Sequence, residues 1–243
     1  MAPTYQIRDL PTITDAAAIE ACAAAGKVRG IFHELTRHAV NQLAKVPVTP
    51  AVRLALATSF RVQECSLSIE YLCAKNQVRD ATILLLSLYE LQLDLQYIAR
   101  DVSRAQTWID HAQRHKKPWS VSSQQKELFT KEAELSAERH VFEFLSMAKH
   151  GNPVGGVLSM PLGPTRDTLT FEPNDLSPLI MTVIYGVGAN VSSAGVSLST
   201  IWRSENVDVS DYPSQLKEGE RHLSSLLERS LLTTLRDRAA QEE

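Results

Sequence analysis

The sequence predicts an all-α protein: a multi-helix bundle of six or seven helices carrying one small Gly/Pro-rich hairpin or loop insert. Three observations carry that expectation. Apolar residues recur at helical spacing through most of the chain, strand-like alternation is confined to one short stretch, and no βαβ alternation occurs anywhere. With 243 residues, 44% hydrophobic and 22% charged, the chain has the composition of a soluble globular protein and ample length for one core. It is read as a single helical domain.

In order, residues 1–13 read as an irregular segment. Thr14 or Asp15 can cap a helix opening at the alanine-rich DAAAIEACAAAGK, with Gly26 as a break or kink. Helical pattern resumes through VRGIFHELTRHAVNQLAK and stops before Pro47 and Pro50. A long helix follows from Ala51 to about Lys75, with Val52, Leu56, Phe60, Leu67 and Leu72 apolar. The central helix starts at Arg79 and continues towards Ala112, where RHKKPWSVSSQQ breaks it with charge, Pro118 and serines. The next helix runs from about Gln124 to His150, with Phe129, Leu135, Phe142 and Leu145 apolar. Residues 151–178 are rich in Gly and Pro, and VGGVLSM and DTLTF alternate like strands around PLGPTR, suggesting the hairpin. An uncharged helix, a loop through SENVDVSDYPS and an amphipathic helix over 214–238 complete the chain, the last with Leu216, Leu223, Leu227 and Leu231 on one face.

The central helix, RDATILLLSLYELQLDLQYIARD, is the expected organiser. At about 100° per residue, Leu84, Leu88, Leu91, Leu95 and Ile98 share a sector roughly 80° wide. Leu85, Leu86, Tyr89 and Leu93 cover much of the other side. Asp80, Glu90, Asp94 and Asp101 occupy a neighbouring sector, an acidic seam on a helix that is otherwise apolar. Carboxylates near a core must be paired, hydrogen-bonded, protonated or metal-bound, because an unpaired buried charge is too costly. Glu90 is therefore expected within hydrogen-bond reach of a basic side chain.

A net charge of −3 gives no global bias towards nucleic acid or membrane. Cys22, Cys65 and Cys73 lack Cys-x-x-Cys spacing and read as reduced core thiols of a cytoplasmic protein. The N-terminus lacks a basic region followed by an apolar run, so no secretory signal is expected. From Leu176 to Trp202 there is no formal charge, and the length would cross a bilayer. Pro178, Asn190, three glycines and several Ser and Thr dilute it, so a core helix is expected and no membrane partner.

Several chemistries are excluded by spacing. In HELTRH, His33 and His38 are five apart and point about 140° from one another on a helix, so the zinc-protease arrangement fails. His111 and His115 have i,i+4 spacing but sit among Arg114, Lys116 and Lys117, which repel a cation. Carboxylate-bridged di-metal bundles need Glu-x-x-His pairs, and the chain has none, so neither metal nor cofactor is expected. GVGAN at Gly186 lacks a preceding strand, and its glycines read as helix-packing contacts. No Gly-x-Ser-x-Gly elbow is present. Two basic constellations remain. Arg29, His33 and Arg37 share a helical face, and Arg139 pairs with Glu143 one turn on, in a helix ending at Ser146 and His150. Each reads either as a solvated or capping feature or as a polar cluster facing the seam.

The segment Leu84-Leu85-Leu86-Ser87-Leu88-Tyr89-Glu90, followed later by Ser146-Met147-Ala148-Lys149-His150, resembles an uncharacterised helical family of bacteria. That family's pattern is a Leu-Leu-Arg-Ser-Leu-x-Glu helix and a later Ser-x-x-x-His. The resemblance covers roughly residues 50–200 and implies a helical fold and a pairing of Glu90 with His150. Leu86 stands where the family has Arg, which removes any Arg–carboxylate pair inside this helix. Arg104 and His111, in RAQTWIDH, are similar in spacing to the HEPN class of helical ribonucleases and defence proteins, without the polar residue that class has directly after the Arg. Two functions stay open. One is a non-enzymatic helical binding or scaffold protein, with a homodimer as its open partner reading, whose polar seam of Asp80, Glu90, Asp94 and Arg139 is structural. The other is an RNA-directed nuclease or toxin component of a bacterial defence system, with Arg104, His111 or His150 doing acid–base work and RNA held by local basic patches. No complete catalytic set is visible, which favours the first.

Overall fold

The computed structural model describes residues 15–44, 47–111, 117–149 and 177–242, and among them every regular element is a helix. These are α1 (Ala16–Leu43), α2 (Pro50–Ala74), α3 (Val78–Arg100), α4 (Arg104–Asp110), α5 (Val121–Leu128), α6 (Glu132–Lys149), α7 (Ser177–Ser204) and α8 (Tyr212–Glu242). The protein is an all-α multi-helix bundle. The irregular 1–13 segment, the 151–178 hairpin, His115 and His150 lie outside the described residues, except for the first residues of α7.

Local chemistry sets the helix starts. Asp15 accepts the Ala18 amide at 2.7 Å, and Thr49 accepts the Val52 amide at 3.2 Å ahead of Pro50 in the first turn. Ser120 and Ser123 close a reciprocal capping box at α5. Two asparagines end helices in the left-handed region, Asn76 at φ 56° after α2 and Asn206 at φ 61° after α7. At each, the two residues beyond the helix donate back to its last turn: Gln77 to Leu72 and Asn76 to Cys73, Val207 to Trp202 and Asn206 to Arg203. Val207 and Trp202 are both buried, the apolar contact that accompanies such an ending.

Three boundaries differ from expectation. The helix containing Gly26 is continuous, because Ala18, Ala21, Ala25, Val28, Phe32, Leu35 and Ala39 make one buried stripe on both sides of the glycine. The central helix stops at Arg100 rather than near Ala112. Asp101 is extended (φ −151°, ψ 97°) and its carboxylate takes both the amide and the hydroxyl of Ser103, a side-chain turn that redirects the chain into α4. The helix expected from Gln124 to His150 divides at Phe129, whose backbone is extended (φ −113°, ψ 97°). Arg100 donates to the carbonyls of Glu127 and Leu128 at 2.6 and 2.7 Å, satisfying the end of α5 with a cation that also suits its dipole.

The centre of the bundle is shared. α3 packs against α2, α5, α6 and α7, while α7 packs against α1, α2, α3 and α8. α7 is thus as central as α3, and its uncharged surface is spent on four neighbours. It is long and apolar enough to cross a membrane by length and composition. Its glycines permit close approach. A Cβ on Gly186 would stand 2.8 Å from Leu85 of α3, one on Gly188 would collide with Leu223 of α8, and one on Gly195 with Leu216.

Candidate functional site

The acidic seam of α3 does not stay together. Asp80 is exposed in the first turn, where a carboxylate suits the helix dipole. Asp101 is exposed in its turn with Ser103, and this hydrogen bonding holds its carboxyl below the usual range. Glu90 and Asp94 remain near one another and line a cleft of about 240 Å³ with Arg61, Ser87, Trp108, His111 and Lys117. Glu90 is paired with Lys117 at 2.7 Å, so it does have a basic partner, supplied by the segment before α5. Asp94 is only 7% exposed and accepts from Trp119 Nε1 at 2.8 Å and Gln124 Nε2 at 2.7 Å. These two neutral donors satisfy a buried carboxylate without a cation.

The other sequence candidates spread apart. Arg104 lies against the Tyr97 ring at 3.9 Å, donates to the Tyr97 carbonyl at 3.0 Å, and pairs with Glu127 at 2.8 Å and Asp101 at 3.6 Å. It staples α4 to α3 and α5 and does not line the cleft that His111 lines. His111 donates from Nδ1 to the Trp108 carbonyl at the end of α4, because a carbonyl can only accept. Arg139 is half-buried and makes no ion pair with Glu143. Arg29 reaches across to Glu70 of α2 in a bidentate pair, both contacts 2.9 Å. His33 meets Gln63 at 3.0 Å and Arg37 pairs with Glu34, so that basic face is used in helix-to-helix and local contacts. Among the described residues, no three His, Cys, Asp or Glu side chains group as a metal site.

A larger cavity, which sequence reasoning missed, opens on the opposite side of α3. It measures about 650 Å³ and lies between α3, α6 and α7, with Glu220 of α8 at its edge. That volume falls within the range of small-molecule sites, about 300–1,000 Å³. Leu85, Phe129, Val141, Phe144, Leu145, Val183 and Ala189 give it apolar walls. Tyr89, Gln92, Gln96, Asn190 and Ser193 supply polar groups. Ser193 Oγ accepts from Gln92 Nε2 at 3.0 Å and from Gln96 Nε2 at 2.7 Å, which fixes both amides from α7. Gln96 Oε1 is buried and has no hydrogen-bond partner, an unusual state for a buried carbonyl.

The wall of this cavity is locked by a second network. Tyr89 donates to Glu138 Oε2 at 2.7 Å, and Gln125 donates to the Tyr89 oxygen at 2.9 Å and to the Glu138 carbonyl at 3.1 Å. Burial pushes the Tyr89 phenol well above its ordinary range, so it acts as a neutral donor. His140, at the rim, donates from Nδ1 to the Ser136 carbonyl at 2.8 Å. Among the described residues, the charged side chains of the lining are Glu138 and Glu220, with no Arg or Lys. The sequence signal was available in part: Gln92, Gln96 and Ser193 are polar residues on otherwise apolar helices. Which of them meet is decided by the α3–α7 packing. No known protein family, curated protein or solved structure matches the chain.

Proposed function

We propose that this chain is a non-enzymatic binding protein that takes a small, largely apolar molecule into the cavity between α3, α6 and α7. The observation that carries the reading is a mostly apolar cavity of about 650 Å³ whose wall carries the polar side chains of Gln92, Gln96, Asn190 and Ser193. A ligand bearing one hydroxyl or N–H would exchange hydrogen bonds with these side chains and bury its apolar body, at roughly 25 cal/mol per Å² removed from water. The carboxylates of Glu138 and Glu220, with no lysine or arginine among the described lining residues, disfavour an anionic head group. A nuclease of HEPN type receives less support, since Arg104 is held by Tyr97, Asp101 and Glu127, away from the cleft of His111.

A fluorescence titration with N-phenyl-1-naphthylamine tests the reading. Saturable one-to-one binding is expected, displaced by dodecan-1-ol far better than by dodecanoate. Ala189→Phe, which fills the cavity from α7, is expected to abolish binding while the circular dichroism melt persists. Undiminished binding in that variant, or none in the wild type, overturns the proposal. RNA degradation by the wild type that is lost in His111→Ala would favour the nuclease instead.

A further inference from the structure

α2 has two faces. One is buried on α3 and α7 through residues such as Leu54, Val62 and Ile69. The other leaves Phe60, Leu67 and Tyr71 at 58%, 54% and 57% exposure, a concentration of large apolar side chains on one helix. Together with Ala57 and Glu64 these residues follow alternating spacings of three and four, the pattern of a helix-pairing seam. They fall within a sector about 80° wide and span about 21 Å of helix. Scattered exposed apolar residues need no explanation, but a continuous seam at this spacing does.

We infer that two copies of this chain pair through this face of α2, antiparallel about a twofold axis passing beside Glu64. In a parallel pair in register each residue faces its own copy, so Tyr71 would meet Tyr71 and Arg61 would lie on the side away from the other copy's Glu64. Reversed about Glu64, Ala57 lies opposite Tyr71, small against large, and Phe60 lies one residue, about 1.5 Å along the axis, from the level of Leu67. Arg61 and Glu64, joined within one chain at 3.4 Å with side chains 63% and 67% exposed, are both free to reach across. Arg61 flanks the seam on the side towards which Glu64 leans, so the Arg61 of each copy faces the Glu64 of the other, about one helical turn away along the axis. This removes the repulsion that two facing Glu64 carboxylates would otherwise cause. The like charges of Arg53 and Lys75 meet only at the solvated ends, where screening is strong. A two-fold contact of this kind buries the same patch on both copies. One pair of helix faces of this length stays below the roughly 800 Å² per partner of standard interfaces, so the expected association is weak and reversible.

Sedimentation velocity of the full chain across low-micromolar to high-micromolar concentrations reads the association directly. A reversible dimer is expected, and Leu67→Glu is expected to weaken it at least tenfold. Leu67 is exposed, so the variant should melt like the wild type. Charge exchange gives a readout independent of the apolar contact. Arg61→Glu and Glu64→Arg should each weaken self-association, yet a one-to-one mixture of the two variants should recover it, because both cross-pairs become attractive again. A wild type that stays monomeric throughout, a dimer indifferent to Leu67→Glu, or a mixture that fails to recover each overturns the inference.

Discussion

Asp94 and Trp119 meet at 2.8 Å, carboxylate oxygen to indole nitrogen, where α3 passes beneath the segment that leads into α5. With Gln124 donating at 2.7 Å to the same oxygen, this one acidic residue organises the return of the chain onto the central helix. Asp94→Ala leaves the half-buried Trp119 and the buried Gln124 donors without a partner. Unfolding in urea is expected to show a loss of about 2–4 kcal/mol, and Asp94→Asn, which keeps an acceptor oxygen, a clearly smaller one. Equal losses in the two variants would show that charge, not hydrogen-bond satisfaction, is what the site requires.

Arg29 and Glu70 tie α1 to α2 with side chains 29% and 12% exposed. The paired carboxylate raises the Arg29 guanidinium further above its already high range. A double-mutant cycle of Arg29→Ala and Glu70→Ala is expected to give a coupling of about 1–2 kcal/mol, more than a solvent-exposed pair provides. The exposed Arg37–Glu34 pair is the internal control and should show much less.

Two glycines in long helices should respond with opposite signs. Gly30 is exposed in α1 and a Cβ there meets nothing within 4 Å, so Gly30→Ala should stabilise by about 0.5–1 kcal/mol through helix propensity alone. Gly188 is packed under Leu223, itself 1% exposed and unable to swing away. Gly188→Ala should therefore destabilise by about 1–3 kcal/mol through overpacking despite the same gain in propensity. Thermal melts of both variants decide the matter.

Burial pushes the Cys73 thiol up from its ordinary 9.0 to about 12, and the Cys22 thiol to about 11. The folded chain keeps protons that the unfolded chain releases. Their stabilising effect is complete below about pH 8.5–9 and is lost as pH rises towards 11–12. Each such group steepens the alkaline loss of stability by up to about 1.4 kcal/mol per pH unit within that window. Cys73→Ala should flatten the curve there and leave the slope near neutrality unchanged. An unaltered alkaline slope would mean that the thiol is no more protected folded than unfolded. Iodoacetamide at pH 8 should also modify Cys73 only after unfolding.

Helical period, chain length and capping residues determined the class of this protein. The alanine and phenylalanine stripe of α1, the Thr49-Pro50 start and the uncharged run of α7 are local patterns, and local patterns survive into the fold because helices form from neighbours in sequence. The internal breaks did not show, since Asp101 and Phe129 interrupt otherwise helical pattern through one side-chain turn and one extended residue. The candidate site was legible only as composition. Asp80, Glu90 and Asp94 share a helical sector in the sequence, yet Asp80 ends in solvent, Glu90 on Lys117 and Asp94 under Trp119 and Gln124. Those partners are 25 to 30 residues away for Glu90 and Asp94, and 101 for Gln92 with Ser193. Periodicity says which way a side chain points from its own helix and nothing of what stands opposite. Only the packing of α7 against α3 brought Gln92 and Gln96 to Ser193 in the wall of the cavity. That choice belongs to the tertiary structure because it depends on contacts between segments far apart in the chain.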